Sequence, residues 1–72
     1  MRGGQVKKSH QLSRIQQDLM DLVIEGCGIS EIGQRVSLSE ISVSIVVKSA
    51  VEKMGAKNLA HAAILYYQQK NE

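Results

Sequence analysis

Ile29-Ser30-Glu31-Ile32-Gly33-Gln34-Arg35-Val36-Ser37-Leu38-Ser39-Glu40-Ile41-Ser42-Val43-Ser44-Ile45-Val46-Val47-Lys48-Ser49-Ala50-Val51-Glu52-Lys53-Met54, residues 29–54, holds the pattern on which the fold turns. Ile29, Ile32 and Val36 recur at i, i+3 and i+7, the spacing of one helical face, and predict a short helix over 29–36. Ser37 and Leu38 turn the chain. Ser39 suits an N-cap, and Glu40 places negative charge where the helix dipole favours it. The helix that follows runs over 40–54, with Gly55 as its stop. A short helix, a tight turn and a longer helix have the dimensions of a helix-turn-helix.

Outward from that pair the same grammar continues. Ser13 and Gln16 have capping-box spacing, and Ile15, Leu19, Leu22 and Val23 then share one helical face, with Met20 and Ile24 broadening it. This predicts a first helix over 13–25, ended by Gly26 and Gly28 through the left-handed backbone glycine tolerates. Asn58 caps a fourth helix over 59–69. Residues 1–11, with Arg2, Lys7 and Lys8, read as a flexible basic arm, and 12–72 as one all-α, four-helix domain.

Composition narrows the function. In 72 residues there is room for one domain, and a substrate pocket of ~300–1,000 Å³ would hollow it out, so neither an enzyme nor a small-molecule binder is expected. Aromatic residues make up 3%, Tyr66 and Tyr67 alone, so the interior must come from Leu, Ile, Val, Met and Ala. The single cysteine, Cys27, excludes an internal disulfide and a Cys-based zinc site, and reads as a small apolar residue rather than a redox sensor. His10 and His61 stand far apart with no Cys or carboxylate cluster between them, so no metal and no cofactor is expected. Asp18, Asp21 and Glu25 read as a solvated face of the first helix. There is no apolar run of the ~18 residues a membrane span needs, and no apolar stretch follows the charged start as in a signal peptide. With no disulfide staples, these features point to the cytoplasm. The net charge of +2 is compatible with nucleic acid without arguing for it.

The residues supply more than spacing. Leu12-Ser13, Leu19, Leu22-Val23, Gly26, Glu31-Ile32-Gly33, Val36, Leu38-Ser39, Ser42-Val43, Ala50, Lys53-Met54-Gly55-Ala56, Asn58 and Ala62 fall in order and without gaps. This string resembles the LuxR/GerE-type helix-turn-helix, the four-helix DNA-binding domain of bacterial transcription regulators, from Leu12 to about Tyr66. Lys48-Ser49-Ala50 followed by Lys53-Met54-Gly55 looks most like its capsule-regulator (RcsB-like) branch. The chain departs from the family pattern at Ile15 and Gln16, where a basic residue and a glutamate are usual, and at Ser44 and Val46, where Lys and His are usual.

On the third helix Val43, Val46 or Val47, Ala50 and Met54 form a core-facing stripe, while Ile41, Ser44, Ile45, Lys48 and Glu52 form another. The resemblance implies that the middle of that second stripe enters the major groove. Lys48 would donate to guanine, Ser44 would bond several base edges, and Ile45 would touch a thymine methyl. The alternative is that Ile41 and Ile45 broaden a buried face. Ser30, Ser39, Lys53 and Lys57, with Arg35 as a further candidate, would contact phosphate, and the basic arm of Arg2, Lys7, Lys8 and Arg14 would add counterion release. The fourth helix is apolar nearly all round. Leu59, Ala62, Ala63 and Tyr66 can pack inward, which leaves His61, Ile64, Leu65 and Gln68 to a second protein. The resemblance implies a homodimer through that helix, or a heterodimer with a related regulator.

The expectation is therefore a dimeric, sequence-specific regulator that binds double-stranded DNA. It would be nearly all output domain, controlled by abundance, a partner or a missing N-terminal part. Loss of two polar residues from the third helix raises an alternative, a degenerate helix-turn-helix used as a protein-interaction module that modulates a larger regulator.

Overall fold

The computed structural model describes residues 12–71. The elements run α1 (Arg14–Ile24), α2 (Ile29–Val36), α3 (Glu40–Lys53) and α4 (Leu59–Lys70), with no strand among the described residues. The basic arm assigned to residues 1–11 lies outside the described residues.

Local chemistry sets the ends of these helices. Ser13 Oγ accepts from the Gln16 amide at 3.2 Å while Gln16 Oε1 accepts from the Ser13 amide at 2.8 Å, a reciprocal box that starts α1. Ser39 Oγ accepts from the Ser42 amide at 3.1 Å, and Asn58 Oδ1 from the His61 amide at 2.9 Å, starting α3 and α4. Gly26 and Gly55 take φ of 96° and 69°, the left-handed backbone expected after α1 and α3. Gly28 does not share that role. It is the N-cap of α2 with φ −81°, because the chain has already turned at Gly26 and must enter α2 extended.

The turn between α2 and α3 passes through Ser37 at φ 60°, a left-handed conformation unusual for a residue with a side chain. Gly33, one turn back, makes room for it. The Leu38 amide donates to Gly33 O at 2.9 Å, and a Cβ on Gly33 would sit 2.6 Å from Leu38 O. That closeness fixes the angle at which α3 leaves α2.

Buried side chains form two clusters that meet along α3. Leu19, Ile32, Val43 and Val47 join α1, α2 and α3, while Leu12, Met20, Ala50, Ala62 and Tyr66 join α1, α3 and α4. Val51 packs on both. The inward face of α1 is rotated from the one its apolar spacing predicts, since Ile15 is 38% exposed and Gln16 is buried. The cause is polar. Gln16 Nε2 donates to Ser49 Oγ on α3 at 2.8 Å, so with its oxygen held in the cap the buried amide is satisfied at both ends. Leu59, expected inside, lies at the margin, and α4 packs through Ala62 and Tyr66.

Tyr66 also carries the link that ties α4 to α1. Its hydroxyl donates to Asp21 Oδ1 at 2.8 Å, and Lys70 Nζ reaches the same oxygen at 2.7 Å while standing 5.8 Å from the Tyr66 ring centre. Burial, and then the hydrogen bond to and charge of Asp21, push the phenol well above its ordinary value.

Two tests follow from this architecture. Gly33→Ala should lower stability by about 1–3 kcal/mol by forcing its Cβ against the Leu38 carbonyl. Gly28→Ala, which meets nothing within 4 Å, should change it by less than about 1 kcal/mol; thermal unfolding of both variants checks the contrast. Because the native Tyr66 phenol holds its proton longer than the unfolded one, its contribution is complete below pH 10.0 and is lost as pH rises above it. Unfolding curves in a Tyr67→Phe background should weaken through that alkaline window, and Tyr66→Phe should flatten the decline.

Candidate nucleic-acid interface

Val43, Val47 and Ala50 pin one side of α3 in the core, with Val46 and Met54 half-buried beside them. At 100° per residue this turns Ile41, Ser44, Ile45, Lys48 and Glu52 outward, and all five are exposed. Ile41 is 74% and Ile45 64% accessible, so neither broadens the buried face. Ser44, Lys48 and Lys57 line one shallow groove, and Ile29, Glu40, Ile41, Ser44 and Ile45 line a neighbouring one. Ile29 lines both, so the start of α2 is continuous with the outward side of α3. The residues assigned to base reading thus share one surface with Lys57, while Lys53 stands on the flank of α3 that faces away from Ser44.

Charge is distributed unevenly over the domain. Arg14 pairs with Asp18 at 3.3 Å, Arg35 with Glu31 at 3.2 Å and Glu25 at 3.7 Å, and Lys70 with Asp21 at 2.7 Å. Among the described residues, Lys48, Lys53 and Lys57 enter no ion pair, and all three lie on α3 or just after it. The cations outside these pairs are therefore gathered around one helix, which also carries two carboxylates, Glu40 and Glu52, outside them. Arg35, read from sequence as a further phosphate candidate, and Arg14, read as part of the basic arm, each stand in an exposed pair with a carboxylate.

Ser39 stays exposed, but its hydroxyl is engaged, accepting from the Ser42 amide and donating to Ser42 Oγ at 3.0 Å. Ser30 is exposed in the first turn of α2, where Gly28 supplies no side-chain cap. Lys57 is locked at its backbone, the amide donating to His61 Nδ1 at 3.0 Å, so the side chain springs from a fixed point.

The outer side of α4 divides differently from the residues assigned to a partner. Ile64 (56% accessible) and Gln68 face outward, whereas His61 and Leu65 are half-buried. The exposed apolar surface continues instead through Tyr67 (58%) into a groove shared with Val23 and Ile24 of α1 and Ala63. The spacing Ile64, Tyr67, Gln68 carried that signal, but only the packing of α1 against α4 reveals Val23 and Ile24 as its floor.

Partial burial, then the Glu31 carboxylate, raise the Cys27 thiol above its ordinary value, which disfavours the reactive thiolate. Among the described residues there is no group of three metal-capable side chains, and no helix is long and apolar enough to cross a membrane. His10 lies outside the described residues.

Residues 10–66 match the family model described as bacterial regulatory proteins, luxR family. No curated protein and no solved structure gives a match. The matched span takes in all of α1, α2 and α3 and α4 as far as Tyr66. With the helix-turn-helix pair and its supporting helices inside that span, the chain belongs to the luxR family of bacterial regulatory proteins, DNA-binding regulators of transcription.

Proposed function

We propose that the domain works as a two-fold dimer that reads double-stranded DNA by seating α3 in the major groove. Ser44, Ile45 and Lys48 meet base edges, while Ser30, Ser39, Lys53 and Lys57 hold the phosphates on either side. The observation that carries this reading is the coincidence on α3 of an outward, unburied stripe and Lys48, which no carboxylate pairs, with Lys57 on the same surface. A groove about 12 Å wide accepts one helix, and two copies related by a two-fold axis would place their helices about 34–36 Å apart. Pairing runs through α4, with Ile64 and Gln68 at its exposed centre and His61 and Leu65 at its edge. A different partner chain of the same family could take the second place.

One observation favours a second reading. The most exposed large apolar side chains among the described residues, Ile41 and Ile45, both stand on α3, and a net charge of +2 is modest for a DNA binder. On that reading α3 docks a larger regulator instead of a duplex.

Titration onto mixed promoter DNA at two salt concentrations separates the two. A reader loses affinity steeply as salt rises, and Lys48→Ala weakens binding roughly tenfold and relaxes preference at one base pair. Lys57→Ala should weaken all sequences alike and reduce the salt slope by about 1. A protein-docking module shows neither effect. For the dimer, Ile64→Glu places a charge on an exposed position and should yield folded monomers by circular dichroism and light scattering. An unchanged mass refutes pairing through α4.

A further inference from the structure

Ile41 and Ile45 are more exposed than any other large apolar side chains among the described residues, and neither belongs to either core cluster. Folding does not explain them. They stand at i and i+4 on the N-terminal half of α3, forming a ridge about 6 Å long beside Ser44. Lys48 follows Ile45 by one turn, so a cation stands at the end of the ridge.

We propose that Ile41 and Ile45 together are a methyl-reading ridge whose ligand is a pair of thymine C5-methyl groups in the major groove; this rests on the reading of α3 as the groove-entering helix. Thymine is the one base whose major-groove edge carries a methyl, so an apolar ridge can distinguish it where hydrogen-bonding side chains are scarce. They are scarce on α3. Between Glu40 and Glu52, whose carboxylates the phosphates repel, the outward stripe offers Ser44 and Lys48 as its polar groups. The ridge length corresponds to about two base steps of about 3.4 Å, so each isoleucine meets a separate thymine. Sequence preference then comes largely from apolar contact, and Lys48 adds one polar discrimination beside it.

The test uses a duplex that the protein itself enriches from a random pool, resynthesised with deoxyuridine for every thymidine. This removes the methyls and keeps every hydrogen-bonding edge. The unmodified protein should lose roughly fourfold in affinity per contacted methyl, the equivalent of one buried carbon. Ile41→Ala and Ile45→Ala should each remove part of the difference between the two duplexes, and the double variant should bind both alike. Their exposure predicts that all three variants stay folded, which circular dichroism checks. Equal binding of the two duplexes by the unmodified protein, with salt dependence and the Lys48→Ala effect intact, overturns the ridge and leaves the groove reading standing. An enriched motif without thymine does the same. Failure to enrich any duplex, with no salt-dependent binding, overturns both.

Discussion

The domain depends on the burial of one seam of α3, Val43, Val47 and Ala50, between its neighbours. With little aromatic mass available, shape has to come from branched and small side chains. Val43 and Val47 fill the side toward α2, and Ala50 lets α4 come close. A helix held on one side has no freedom to roll. The orientation of Ile41, Ser44, Ile45 and Lys48 toward solvent is therefore fixed by packing on the opposite side of the same helix.

The polar contacts refine that placement rather than create it. Gln16 bridges its own helix cap to Ser49, so the start of α1 is registered against the middle of α3. Asp21 gathers Tyr66 and Lys70, fixing α4 along α1. Four carboxylates draw Arg14, Arg35 and Lys70 into local pairs away from the outward side of α3. What remains basic, Lys48, Lys53 and Lys57, is brought onto or next to α3 by this subtraction.

Much of this was legible in the residue order because its signals are local. Capping by Ser13, Ser39 and Asn58, the glycine stops at Gly26 and Gly55, and the apolar stripe of α3 each depend on residues within a few positions of one another. What was not legible depends on partners far along the chain. Gln16 looks like a capping residue alone until Ser49, 33 positions on, draws it inside and rolls Ile15 out. Arg35 reads as an available cation until Glu25 comes near it across the α1–α2 turn. Ser37 gives no sign of its left-handed backbone, since the room for it is made by Gly33. On the outward side of α3, helical period alone separated exposed from buried positions. On α4, apolar nearly all round, it could not, and only the tertiary contacts distinguish Ile64 and Tyr67 from Leu65.

Leu19 and Met20 are consecutive and both fully sequestered, yet they point into different clusters. α1 cannot leave without opening both. Such wiring couples the two clusters, and a single domain of this size is expected to melt cooperatively. Heat would then act as a single cut-off on regulation by this domain, and anything that grips α3 would steady the whole molecule.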